Sequence, residues 1–86
     1  MYKVSVYVTP KAGVVDPQGA AIERALPALG HSSASNIRVG RYITLDVEGT
    51  DPDEVKAEVD DMCRKLLANP IIEDYRFDVV AAGEEA

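Results

Sequence analysis

From Tyr2 to Thr9, apolar and polar side chains alternate, with Tyr2, Val4, Val6 and Val8 on one side and Lys3, Ser5, Tyr7 and Thr9 on the other. A two-residue period is that of a strand with one face buried. Pro10-Lys11-Ala12-Gly13 breaks the alternation. Asp16-Pro17 then sets a capping carboxylate ahead of a proline at the first helical position, which predicts a helix from Pro17. Ile22, Ala25, Leu26 and Leu29 fall on one helical face and are its expected core residues, with Glu23 and Arg24 pointing away and Gly30 as the stop. Pro27 removes a hydrogen bond to the carbonyl four residues earlier, so a kink or early fraying is expected there.

After the polar connector His31 to Asn36, the residues Ile37, Val39, Ile43, Leu45 and Val47 keep one parity through to Glu48, and one long strand accounts for that phase. The alternative is a hairpin at Gly40-Arg41, which lacks the Asn-Gly or Asp-Gly signal, so Gly40 is read as a bulge or bend. Asp51-Pro52-Asp53-Glu54 repeats the cap-then-proline start, with Glu54 at capping-box spacing. The core face of this second helix is Val55, Val59, Met62, Cys63, Leu66 and Leu67, and Asn69-Pro70 closes it with a residue that tolerates the left-handed conformation followed by a breaker. Tyr75, Phe77 and Val79 alternate with Arg76, Asp78 and Val80 in a last strand. Residues 1–82 form one expected domain, and 83–86 a polar C-terminal tail that frays.

The order strand, helix, strand, helix, strand buries most simply as an α+β two-layer sandwich, a three-stranded antiparallel sheet with both helices on one face. This β-α-β-α-β arrangement is a ferredoxin-like relative with its middle hairpin straightened. The other sheet face, carrying Tyr7, Tyr42 and Thr44, or an edge of the long middle strand, is the expected dimer surface.

Composition narrows the function. A chain of 86 residues has room for one small core, and covering more apolar area by self-association would relieve its marginal burial. Its net charge of −6 repels a phosphate backbone, so nucleic acid is not an expected partner. The start of the chain alternates in character and does not form a signal-peptide core, and no stretch is apolar enough to span a bilayer, so a cytoplasmic location without membrane contact is the default expectation. One cysteine and one histidine offer neither an internal disulfide nor a zinc cluster.

No spacing of a nucleophile with a base, of paired acid and base, or of a phosphate-binding loop stands out. His31 sits in a Ser-rich connector past a helix end, where a solvated or capping role accounts for it better than general-base chemistry. Cys63 lies on an apolar helical stripe, the usual place of a small buried filler. Asp16 and Asp51 are each placed to cap a helix. Lys11, Arg38 and Arg41 are possible contacts for an anion or an acidic protein surface. Arg41 alone falls on the apolar parity, where it must pair with a carboxylate, reach the sheet edge or enter a subunit interface unless it simply lies at the surface.

Four blocks, Asp16-Pro17-Gln18-Gly19-Ala20-Ala21-Ile22, Ala25-Leu26 with Leu29-Gly30, Ile37 to Ile43, and Leu66-Leu67-Ala68-Asn69-Pro70-Ile71-Ile72-Glu73-Asp74-Tyr75, resemble the PurS family in order and spacing. The resemblance implies the small subunit of phosphoribosylformylglycinamidine (FGAM) synthase in de novo purine biosynthesis. In that three-component ligase, a PurQ-type glutaminase releases ammonia, and a large PurL-type synthetase uses it with ATP to convert formylglycinamide ribonucleotide to formylglycinamidine ribonucleotide. The small subunit, a homodimer or tetramer, would bridge the two and support ammonia transfer. ATP and magnesium would belong to the large partner, with no cofactor, metal or catalytic residue in this chain. Motif positions carried over as interface or structural residues are Asp16, Gln18, Gly19, Arg38, Arg41, Asn69, Pro70 and Tyr75. The sequence departs from the family pattern at Pro27 and in its Ser-rich connector.

Two rival readings differ in class. A small dimeric ligand-sensing module of the ACT kind rests on fold analogy and lacks the second hairpin such modules need. A small dimeric enzyme would require polar groups projecting into the core, where the helix stripes offer only aliphatic side chains, Met62 and Cys63.

Overall fold

The computed structural model describes residues 1–82, and the expected fraying of residues 83–86 lies outside them. The chain runs β1 (Tyr2–Pro10), α1 (Pro17–Ala25), a 3-10 turn (Pro27–Leu29), β2 (Arg41–Val47), α2 (Pro52–Met62) continuing into a π-helical turn (Cys63–Leu67), and β3 (Glu73–Ala81). The strands form one antiparallel sheet in the order β2-β1-β3. This is the expected α+β class and element order. The long-range return of β2 and β3 to the two sides of β1 places the valine column of β1 at the centre: Val4 lies between Leu45 and Val79, and Val6 between Ile43 and Phe77.

The alternation read in β1 is what builds the core. Val4, Val6 and Val8 are at most 1% exposed, and α2 lays Val55, Val59 and Cys63, four residues apart, against them. Each such side chain contributes about 1.5–3 kcal/mol by leaving water. Val47 and Ala68 close the cluster, and no polar or charged side chain among the described residues is buried in it.

The structure departs from the expected pattern in four places. First, β2 begins at Arg41, not Ile37. Side-chain acceptors take the preceding backbone donors: Asp16 Oδ2 accepts the Val39 N–H at 2.9 Å, and Glu23 Oε1 that of Ile37 at 3.4 Å. Gly40 backs onto the Val8 carbonyl so closely that a Cβ there would overlap it, so the glycine serves a close backbone approach just before β2, and no hairpin forms at Gly40-Arg41. Second, α1 stops at Ala25, two residues before Pro27, and the chain tightens into the 3-10 turn, capped by Gly30 in the left-handed conformation. Its expected core face is open: Ile22 is 43% and Leu29 71% exposed, and of all α1 residues only Gly19 is buried.

Third, Leu66 points to solvent at 83% exposure. The Ala68 N–H reaches the Cys63 carbonyl five residues back at 2.9 Å, and this wider turn shifts the helical phase so that Ala68 takes the buried position. Fourth, the caps differ in detail. Asp51 accepts from the Asp53 N–H at 3.0 Å instead of forming a reciprocal box with Glu54. Asn69 is not left-handed; Asn36 in the connector is, at φ 57°. Asn69 instead turns the chain by accepting the Ile71 N–H on its side chain at 3.1 Å and the Glu73 N–H on its carbonyl at 2.7 Å.

Candidate interaction site

Two hydrogen-bonded networks gather most of the motif residues at the end of the sheet where β1 finishes. The first ties α1 to the segment entering β2. Asp16 uses one carboxylate oxygen to cap Gly19 at 3.1 Å and the other to hold Val39. These backbone N–H groups, Val39 foremost and then Gly19, hold its carboxyl below the ordinary carboxylate range. Gly19 is required by contact: a Cβ would lie 2.5 Å from both the Ile37 carbonyl oxygen and Asp16 Oδ2. Arg38 donates to the Pro10 and Lys11 carbonyls, each at 2.7 Å, so a guanidinium satisfies the free end of β1. Gln18 lies exposed on the first turn of α1 and makes no side-chain hydrogen bond among the described residues.

The second network centres on Glu73, which the sequence pattern did not single out. Its Oε1 accepts from the Asn69 N–H at 2.7 Å and from Arg41 at 2.9 Å, and Arg41 also donates to the Leu67 carbonyl at 2.8 Å. The Asn69 N–H first, and then Arg41, hold the Glu73 carboxyl below its ordinary range. Arg41 thus resolves its misplaced parity by pairing with a carboxylate while its side chain stays 53% exposed. Tyr75 donates to Asp60 at 2.6 Å, joining β3 to α2, and this bond, with burial, pushes the phenol pKa up. Pro70 is exposed in the turn that Asn69 opens. Lys11 bridges the two networks: its N–H donates to the Ile72 carbonyl at 2.9 Å and its ammonium pairs with Asp74 at 2.8 Å. A four-residue spacing from Asn69 to Glu73 was the one signal that pointed to the missed acceptor.

Chemically these networks fix backbone: the Asp16 and Glu73 carboxylates and the Arg38 and Arg41 guanidiniums are each engaged with a main-chain group. The grooves are shallow. One runs between α1 and the connector, past Asp16, Glu23, Ser35 and Arg38, and another crosses the open sheet face beside Lys3, Ser5, Tyr42 and Asp46. Cys63 is fully buried, which pushes its thiol pKa up, and His31 is exposed. On the outer sheet face, Arg76 stacks 3.8 Å above the Tyr7 ring, whose centroid lies 5.1 Å from that of Tyr42, and Lys3 pairs with Asp46. That mixture of tyrosine and arginine is typical of surfaces that bind protein.

The family model described as PurS, phosphoribosylformylglycinamidine (FGAM) synthase, matches residues 3–81. The PurS subunit of the synthase from Bacillus subtilis is 47% identical over 92% of this chain and 93% of its own, and that from Methanocaldococcus jannaschii 43% identical over 92% and 95%. Among solved structures, B. subtilis PurS superposes with a TM-score of 0.82 at 47% identity, over 92% of this chain and 98% of that one. The structure of PurLQS from Thermotoga maritima contains a chain that superposes at 0.83 with 30% identity, over 92% of this chain and 96% of that one. A match of this extent in sequence and fold leaves the ligand-sensing alternative without support, and the chain belongs to the PurS family, the small subunits of FGAM synthase in purine biosynthesis.

Proposed function

We propose that this chain is a non-catalytic, bridging subunit: a cytoplasmic homodimer or tetramer that holds a PurL-type synthetase and a PurQ-type glutaminase in register. Ammonia released from glutamine then reaches the synthetase without escaping to water, an effect of proximity and shielding. ATP and magnesium act in the large subunit. The observation that carries this reading is the interior, which buries aliphatic side chains and one inert thiol and no polar group among the described residues, while the tyrosine and arginine side chains lie outside. The similar T. maritima chain belongs to PurLQS, whose name joins the same three components, and this supports the reading. Self-association uses the open sheet face around Tyr7, Tyr42 and Arg76. Asp16, Gly19, Arg38, Arg41, Asn69 and Tyr75 shape the surface that partners meet, and Gln18 and Pro70, exposed and without side-chain hydrogen bonds among the described residues, touch them.

The test mixes the chain with its cognate synthetase and glutaminase and compares product formation driven by glutamine with that driven by ammonium. Omission of the chain abolishes the glutamine-driven rate in excess over the ammonium-driven rate. An unchanged glutamine-driven rate removes the bridging role.

A further inference from the structure

Among the large apolar side chains of the described residues, Val15, Leu66 and Ile71 stand furthest into water, at 84%, 83% and 83% exposure. They lie toward the end of the sheet where β1 finishes. Leu66 and Ile71 flank the Asn69-Pro70 turn, and the loop that leads to Val15 is tied to that turn by the Lys11 N–H on the Ile72 carbonyl. The patch belongs to loops and to the π turn, apart from α1 and the open sheet face.

A single exposed leucine on loose backbone would mean little. Here the backbone is fixed. The Ala68 N–H, reaching back to the Cys63 carbonyl, turns Leu66 outward, and Arg41 holds the Leu67 carbonyl at 2.8 Å. Glu73 accepts the Asn69 N–H, and Asn69 in turn accepts the N–H groups of Ile71, Ile72 and Glu73. The frame that carries the exposed side chains is therefore ordered before any contact, and docking does not have to order it, as in the central anchors of protein interfaces.

Charge selects the chemistry of the partner. Lys11, Arg38 and Arg41 at this end match Asp16, Glu73 and Asp74, so the net charge of −6 lies on the rest of the chain. Arg41 makes both of its hydrogen bonds through Nη2, and its Nε and Nη1 donors have no partner among the described residues. A carboxylate beside an apolar recess complements that arrangement. A second copy does not supply one among the described residues, because the grooves on this chain are shallow and edged by Lys3, Ser5 and Asp46 or by Asp16, Glu23 and Arg38. Recesses deep enough for protruding side chains form between domains, and the synthetase is the component large enough to have several.

We infer that Leu66, Pro70 and Ile71, with Val15 beside them, are the knobs that seat this chain in an apolar recess of the synthetase, where a carboxylate on the rim meets the open donors of Arg41. This rests on the proposed bridging role and names the surface that carries one end of the bridge.

The experiment labels the full-length chain and measures its dissociation constants for the cognate synthetase and for the glutaminase separately, with glutamine and magnesium ATP present. Light scattering and circular dichroism follow self-association and fold. The double variant Leu66→Ser, Ile71→Ser is expected to fold and self-associate as the wild type does, since both side chains lie outside the core. Its constant for the synthetase rises tenfold or more, while that for the glutaminase stays within twofold. A rise of less than tenfold at the synthetase, a loss at the glutaminase instead, or a loss of self-association overturns the assignment of this surface and leaves the bridging role standing. A wild-type chain that binds neither subunit overturns both. Replacement of one knob by a charge tests the rim: Ile71→Glu binds the synthetase more weakly than Ile71→Lys, and equal or reversed constants remove the carboxylate.

Discussion

Asp16 commits both carboxylate oxygens to backbone N–H groups, one inside α1 and one 23 residues away at Val39, whereas Glu73 accepts both the Asn69 N–H and the Arg41 guanidinium on the single oxygen Oε1. Both carboxyls are held below their ordinary range, so the unfolded chain takes up protons at a higher pH than the folded one. Their contribution to stability is complete above the unfolded carboxylate range and is lost as pH falls through the depressed folded values. Thermal midpoints followed from about pH 7 down to about pH 3 will fall on the acid side, and Asp16→Asn or Glu73→Gln will make that fall shallower. Gly19→Ala tests contact at the same scale: with a Cβ forced against the Ile37 carbonyl, urea unfolding should show a loss of about 1–3 kcal/mol. Asp16 was legible in the sequence as a cap, but its second bond was not, because nothing local marks Val39 as its partner.

At the scale of elements, α2 and its π turn divide one apolar stripe into positions of unequal worth. Val59 is fully buried and Leu66 is 83% exposed, although both sit on the face that the helical period assigns to the core. Val59→Ala should cost about 2 kcal/mol in equilibrium unfolding, whereas Leu66→Ser should stay within about 0.5 kcal/mol. A Leu66→Ser loss as large as that of Val59→Ala would show that the helix keeps an ordinary α phase. The period was correct as far as Cys63, and the change of phase after it belongs to the Ala68-to-Cys63 bond, which composition does not announce. In the same way the parity of Ile37 and Val39 is real, yet their N–H groups are taken by Asp16 and Glu23 and so cannot join the ladder.

For the whole molecule, the proposed self-association of an open protomer would make stability and association one quantity. A chain that binds another copy in its folded form gains stability by mass action, so under the proposed self-association its thermal midpoint should rise with protein concentration, and a midpoint independent of concentration would mark a self-sufficient monomer. The same openness fits the proposed bridging role: the aliphatic interior fixes a thin sheet, and the polar and charged side chains are left on its surface.

Alternation in β1 and β3, the two Asp-Pro helix starts and the stop at Gly30 were determined by the sequence alone, because each depends on side chains within a few residues of one another. So were the family motifs, Asp16-Pro17-Gln18-Gly19 and Leu66 to Tyr75, which the match over residues 3–81 bears out. The tertiary structure decided that α1 leaves its apolar face open, where β2 begins, how Arg41 is paired and that Glu73 is the acceptor joining Asn69 to Arg41. Those outcomes depend on which distant donor reaches a given oxygen first and on which apolar face finds a neighbour, and hydrophobic periodicity is silent on both.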